Sequence, residues 1–552
     1  MTPEPAKSRV LRLCGALLAS AVLASCAGAP ESPGRPRLVV LLVVDGLPQR
    51  QVLAYRDQLA PDGLARFLDR GAWFADAHYG HALTATAPGH ATMLTGAYPH
   101  RTGIIGNEWR DVASGAEVYC TGDTTATYIG HKTNALDGTS PRNLKVETLG
   151  DVLRRIDGRS KVIGISGKDR GAILPAGKTG TAYMYMGASG QFASSTFYMK
   201  AHPAWVEAFN ARKPADRYFK TEWKPLLPEA AYARSIPDSQ PWFGPRGGKL
   251  PMVMGAAADE SPGPAFYAAL LRSPFADALT LDFARAAVAA EQLGRDDAPD
   301  ILAVSLSSHD YVNHQWSAES RLSHDHLLQV DRMLQAFLRD LDTAVGRDNY
   351  VAVLTSDHGF MPAPEHSQSQ GQPGGRLSGS QNLARLNAEL ERGFGAPKMV
   401  SFVSASALVL DRKAIADKAL DLDIVAEAAR SMLIAEPAIA AAYTRRELES
   451  GSRTGAPFFD QMRKTWHKEL SGDVQYALKA GWMGTSSSIT THGSPHPYDT
   501  HVPILVYGPR WVKPGRVDGR VEVADIAPTL ARLLGVAAPP GSEGRPLPLT
   551  GP

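Results

Sequence analysis

The sequence predicts an α/β fold, with one central, mostly parallel sheet, helices on both faces and two insertions over the functional edge. Three observations carry this. The stretch Leu38–Val44, LVVLLVV, is apolar at every position, as expected of a strand buried on both faces of a parallel sheet. Similar runs recur at 162–165, 301–306, 351–355 and 502–506, and these are taken as the rest of the central sheet. Between them lie helical patterns, clearest over 322–341, where Leu327, Val330, Leu334, Phe337, Leu338 and Leu341 form one apolar stripe.

At 552 residues the chain exceeds a minimal domain, yet strand and helix signals alternate throughout, so one large domain with insertions is the economical reading. Residues 171–294 are rich in aromatics, prolines and glycines without a helical period and read as an insertion shaping a substrate pocket. Residues 361–480 open on the polar HSQSQGQPGGR and read as a second insertion. The core is then left to 37–170, 295–360 and 481–552. Hydrophobic content of 44% and charged content of 21% fit a soluble globular protein and exclude general disorder.

The N-terminus places Lys7, Arg9 and Arg12 before the apolar stretch 13–23 and then Leu23-Ala24-Ser25-Cys26. A basic region followed by a short apolar core is an export signal, too short to span a bilayer comfortably. The Leu-Ala-Ser-Cys ending reads as a bacterial lipobox. Residues 1–25 would be the signal, Cys26 the lipidated first residue of the mature chain, and 26–36 a Pro- and Gly-rich tether. A plain cleaved signal is the alternative. Ala27 after the cysteine favours the outer membrane, with the protein on its periplasmic side. Cys14 leaves with the signal, so only Cys120 remains and no internal disulfide is possible. Residues 1–25 carry three of the 58 basic and one of the 56 acidic side chains, which leaves the mature chain formally neutral. It has no basic field for nucleic acid, and attraction for phosphate must be local.

Metal-ligand residue types sit just after the apolar runs. Asp45-Gly46 closes the first strand, although a strand-ending Asp-Gly is commonly just a turn. Asp310 and His314, four apart, project from one face of a helical turn directly after the run at 301–306. Asp357-His358 follows the run at 351–355; adjacent residues reach one site only where a strand is ending, and Gly359 would permit that turn. His492 in THGSPHPYDTH competes with His496 and His501. Aspartate, histidine and the hydroxyl of Thr86 suit zinc, and seven such residues supply ligands for two metal ions and a nucleophile. The chemistry this set implies is two-metal hydrolysis of a phosphate ester.

With these residues in place, the chain resembles the alkaline phosphatase superfamily over essentially its whole mature length, most closely the PafA-like group of monomeric bacterial alkaline phosphatases with a threonine nucleophile. The resemblance implies an alkaline-phosphatase-like fold and hydrolysis of small-molecule phosphate monoesters by a monomer, with two Zn2+ and a phosphothreonine intermediate. It puts the nucleophile in TATAPGHATMLTG. Thr86 and not Thr84 takes the role, because it stands two before Pro88, as the catalytic residue does in related sulfatases. Asn107 in GIIGNEW, and Lys168 with Arg170 in ISGKDRGAI, would hold the phosphate. One zinc would be bound by Asp310, His314 and His492, the other by Asp45, Asp357 and His358 with Thr86 as fourth ligand. The closing segment 523–547 resembles the superfamily's final helix and tail.

Two fixed cations with Asn107 favour a dianionic monoester over a monoanionic diester. A phosphodiesterase of the nucleotide pyrophosphatase type would share the ligands, the threonine and the asparagine but lack the Lys-x-Arg pair. A sulfatase needs Cys or Ser in a C/S-x-P-x-R motif, where this chain has Thr86-Ala87-Pro88-Gly89-His90. Phosphoglycerate mutases use serine and are cytoplasmic, against which the export signal counts. A lipoprotein that binds metal or phosphate without turnover would have lost a ligand or the nucleophile, and every position is filled.

Overall fold

The computed structural model of the chain describes Met1 and residues 34–244 and 247–549. The expected export signal and the expected lipidation site at Cys26 lie outside the described residues. Residues from Pro36 onward form one compact unit. Among the described residues no helix is long and apolar enough to cross a membrane.

The central sheet has nine strands: β1 Leu38–Val44, β2 Ala72–His78, β3 Val162–Ser166, β4 Thr181–Met186, β5 Gln191–Ala193, β6 Asp300–Leu306, β7 Tyr350–Thr355, β8 Ile504–Tyr507 and β9 Gly515–Glu522. Their spatial order is β9-β2-β8-β7-β1-β6-β3-β4-β5. β1 lies at the centre, pairing in parallel with β6 and β7. Only β8 and β5 run against the others. The expected mostly parallel sheet is thus present, with the run at 502–506 as one of the two reversed strands.

Around it lie α1 Thr86–Thr95, α2 Leu149–Ile156, α3 Asp169–Ala176, α4 Pro274–Ala290, α5 Ser308–Trp316, α6 Arg321–Leu341 and α7 Ile526–Leu534. Side-chain alternation divides β1 between two cores. Leu38, Val40, Leu42 and Val44 pack with residues of α4 and α6; Val39, Leu41 and Val43 pack with residues of α2 and α7. Burial on both faces is why β1 tolerates no polar position, since each buried Val or Leu contributes on the order of 1.5–3 kcal/mol. The stripe of α6 is buried as its spacing predicts, and Ser320 caps the helix by accepting from the Ser323 N–H.

Residues 171–294 differ from the sequence reading. They supply β4 and β5 to the sheet and α4 to one of its faces. The period of α4 is hard to read because its buried face is broad, with Leu279, Leu281, Phe283, Ala284, Ala287 and Val288 all enclosed. Residues 361–480 hold a separate four-stranded antiparallel sheet, in the order Val400–Ser404, Ala407–Leu410, Val474–Leu478, Ile439–Thr444. Its core includes Leu390, Leu408 and Leu433, packed by helices Gly379–Phe394 and Leu422–Ile434.

Candidate active site

Four adjacent parallel strands, β7, β1, β6 and β3, end at one edge, where open α/β sheets place their ligands. Within a few residues of those ends stand Asp357 and His358, Asp45, Asp310, and Lys168. Asp45, Asp310, Asp357, His358 and Lys168 are all buried. Gly46 makes the first turn possible: its φ is +74°, and a Cβ there would lie 3.2 Å from the Asp310 Cβ. Its N–H donates to Asp357 Oδ1 at 3.0 Å, linking two strand ends. Gly359 plays a different part from the one expected. It has no left-handed φ, but a Cβ would fall 2.2 Å from the Tyr498 carbonyl oxygen, so it serves close backbone approach.

The histidines carry the clearest signal. Nδ1 of His314, His358 and His492 lies 2.8–2.9 Å from the carbonyl oxygens of Thr490, Gly359 and Thr84 respectively. A carbonyl only accepts, so each Nδ1 holds the proton and each Nε2 presents a lone pair. All three Nε2 atoms converge on Asp310 Oδ1, at 3.4 Å from His314, 3.5 Å from His492 and 3.8 Å from His358. Lone pairs facing a carboxylate oxygen at that range repel unless a cation joins them. Asp45 Oδ1, Asp310 Oδ1 and Asp357 Oδ2 are also buried without a hydrogen-bond donor. These features fit metal binding by two groups, Asp310-His314-His492 and Asp45-Asp310-His358. Asp310 thus faces both groups rather than one. Asp357 borders the second, its Oδ2 at 3.5 Å from His358 Nε2.

The electrostatics agree. Burial, followed by the nearby Asp357, pushes the Asp45 pKa up to about 7, and burial pushes Asp357 up to about 6. Burial holds the His358 pKa down to about 4 and that of His492 well below its ordinary value, so both rings are neutral. Burial also acts to raise Asp310, but Lys168 and the histidines outweigh it and hold its pKa well below the carboxylate range. Lys168 Nζ lies 2.8 Å from Asp45 Oδ2 and 2.6 Å from Asp310 Oδ2. Three carboxylates therefore meet one ammonium, and the site still favours added positive charge.

Thr86 is the first residue of α1, preceded by Ala85, which has no side chain to cap the helix. Its Oγ1 is 3.4 Å from His358 Nε2. Thr84, by contrast, donates its hydroxyl to the Ser494 carbonyl at 2.9 Å. His496 and His501 turn their Nε2 to the carbonyls of Leu478 and Ala75, outside the cluster. Asn107 accepts the Ala87 N–H through Oδ1 at 2.8 Å, which fixes the amide beside the start of α1. Arg170 donates to the Tyr119 hydroxyl at 3.0 Å, and that hydroxyl donates to Asp169 at 2.7 Å.

Two contributors escaped the sequence reading. Tyr119 lies on a hairpin, Glu108–Arg110 with Glu117–Tyr119, that starts next to Asn107, so one small element positions both Asn107 and Arg170. His90, one turn after Thr86, bonds the Thr86 carbonyl through Nδ1 and Ser305 through Nε2, each at 2.8 Å. Its spacing from Thr86 was the available signal. The cavity beside His492 is lined by Ala82, Leu83, residues of 361–480 and the loop after it, and by none of 171–294. The aromatics of 171–294, such as Phe192, Phe209 and Phe283, are spent in the core.

A mostly parallel α/β sheet whose strand ends gather metal-ligand residues around a threonine and a fixed cation defines the class of phosphoric ester hydrolases. More particularly, the chain belongs to the type I phosphodiesterase / nucleotide pyrophosphatase family, which it matches over residues 39–501, and within it to the PafA-like alkaline phosphatases. It is 34% identical to the alkaline phosphatase PafA of Elizabethkingia meningoseptica, over 97% of this chain and 98% of that one. It is likewise 34% identical to the alkaline phosphatase PhoV of Synechococcus elongatus, over 94% and 93%. The crystal structure of wild-type PafA superposes with a TM-score of 0.85 at 33% identity, covering 93% of this chain and 98% of that one.

Proposed function

We propose that the chain hydrolyses small-molecule phosphate monoesters to alcohol and inorganic phosphate, using two zinc ions and a phosphothreonine at Thr86. One zinc site is Asp310, His314 and His492; the other is Asp45, Asp357 and His358 with Thr86. The observation that carries the reading is the convergence of three histidine Nε2 atoms on Asp310, with Thr86 Oγ1 beside one of them. Bound zinc would supply Lewis acidity, lowering the pKa of the Thr86 hydroxyl and neutralising the departing oxygen.

The protein groups do the rest. Thr86 Oγ1 loses its proton to solvent and attacks phosphorus in line; the Oγ1–P bond forms as the ester P–O bond breaks, and the alcohol leaves with a proton from water. The N-terminal end of α1 adds a favourable partial positive charge at the attacking oxygen. Water then attacks the phosphothreonine, releasing phosphate and restoring the hydroxyl. Asn107, Lys168 and Arg170 hold the non-bridging oxygens, Lys168 turning to the phosphate once Asp45 and Asp310 are neutralised.

The family match favours phosphodiester hydrolysis as the second reading. The test is steady-state hydrolysis of p-nitrophenyl phosphate beside bis-p-nitrophenyl phosphate, with zinc measured on the same sample at pH 8 and pH 5. A strong preference for the monoester with about two zinc ions per chain is expected at pH 8. A preference for the diester would move the enzyme to the second reading. Zinc content should fall towards pH 5. The raised values of Asp45, about 7, and Asp357, about 6, mean that protons compete for these ligands as pH drops below 7. Undiminished zinc at pH 5 would show that proton competition at these two carboxylates does not set zinc occupancy in this range.

The same reading makes the enzyme a monomeric lipoprotein held at the outer membrane, on its periplasmic side, through a lipid on Cys26, with no nucleic acid partner. Cys26→Ser is expected to shift it from the membrane fraction to the soluble fraction. Unchanged fractionation would reject the lipid anchor.

A further inference from the structure

A cavity of about 410 Å³ opens beside His492, within the size range of small-molecule sites. Leu83, three residues ahead of Thr86, lines one part of it. Met361, Tyr476, Trp482 and Met483 are among the residues that line the rest, so the second insertion and its return loop build most of the wall. Two flat rings and two polarisable sulfurs suit an aromatic guest. Asn107, Lys168 and Arg170 do not border the space, so it is separate from the groups that would hold phosphate.

Two residues of this wall carry buried acceptors that lack donors. Gln475 Oε1 and Asp499 Oδ1 have no hydrogen-bond partner, although Gln475 is 3% exposed and Asp499 0%. The other oxygen of Asp499 is satisfied by the N–H and hydroxyl of Ser494. Buried acceptors are seldom left unpaired, and a ligand carrying N–H or O–H groups would satisfy them.

We propose that this cavity receives the alcohol part of the phosphate ester and selects aromatic alcohols that carry an N–H or O–H donor remote from the ester oxygen. The location rests on the phosphatase reading above. There Thr86 lies beside His358 of one group, so a zinc held by the other group, Asp310-His314-His492, would neutralise the departing oxygen, and whatever is attached to it would emerge near His492, which lines the cavity.

The test compares methyl, phenyl and 4-aminophenyl phosphate with the wild type, Trp482→Ala and Gln475→Leu. The variant-to-wild-type ratio for each ester cancels its intrinsic reactivity. Trp482→Ala is expected to lower kcat/KM about 10-fold for both aryl esters and to leave methyl phosphate within about twofold. Gln475→Leu is expected to lower kcat/KM for the 4-aminophenyl ester about fivefold relative to the phenyl ester. Equal losses on all three esters in both variants would overturn the proposal. Should the wild type hydrolyse none of them, the phosphatase reading fails, and saturation-transfer NMR with 4-aminophenol judges the cavity independently. Transfer to the ring protons that is lost in Trp482→Ala supports it; no transfer with the wild type overturns it.

Discussion

Thr86→Ala is expected to lower kcat/KM for p-nitrophenyl phosphate on the order of 10⁴- to 10⁶-fold, the scale seen when a hydrolase loses its nucleophile. Zinc content should stay close to that of the wild type, because the three aspartates and three histidines remain. Two geometric facts make the effect this large. Thr86 Oγ1 is 3.4 Å from His358 Nε2, inside the cluster, whereas the Thr84 hydroxyl is already committed to the Ser494 carbonyl. The Thr84 hydroxyl is therefore not free to take over. Thr86→Ser keeps an oxygen in place and should retain most activity, and acid-quenched turnover should leave phosphate on residue 86, readable by mass spectrometry. Activity of Thr86→Ala within about tenfold of the wild type, with zinc bound, would remove Thr86 from the mechanism.

The parts of this molecule legible in the sequence are those where burial is most one-sided. β1, β3, β6 and β7 read as strands because both faces are enclosed, and a charged residue directly after such a run is conspicuous. Asp45, Asp310, Asp357 and His358 were visible for that reason. β2 was not, since Ala75 and Asp76 are only half-buried and break the apolar run. α4 was missed for the opposite reason, a buried face so wide that no stripe stands out. The contacts hardest to read join distant segments. Tyr119 meets Arg170 across 51 positions, and Gln475 and Trp482 share a cavity with Leu83 about 400 residues earlier. The double exposure of Asp310 to both ligand groups was equally hidden, because it depends on how far β6 lies from β1 and not on which residue follows a strand.

Lys168→Ala combined with Arg170→Ala is expected to lower kcat/KM for a phosphate monoester about 10²- to 10³-fold, and far less for a diester. In the proposed mechanism a dianionic monoester passing to phosphothreonine spreads charge over three non-bridging oxygens, and two cations would meet that charge directly. Arg170 is held by Tyr119, while Lys168 sits between Asp45 and Asp310 at 2.8 and 2.6 Å. The position of Lys168 raises a rival role, that it only balances buried carboxylates. The two roles separate by measurement. If Lys168 served charge balance alone, its removal would destabilise the metal-free protein and leave the ratio of monoesterase to diesterase activity unchanged, because loaded metal supplies the missing charge. If it meets the ester, the ratio falls in the fully loaded enzyme, and Lys168→Arg restores part of it by returning the charge with altered reach. Equal losses on both esters at full zinc occupancy would assign the pair to the carboxylates and leave Asn107 as the sole phosphate contact.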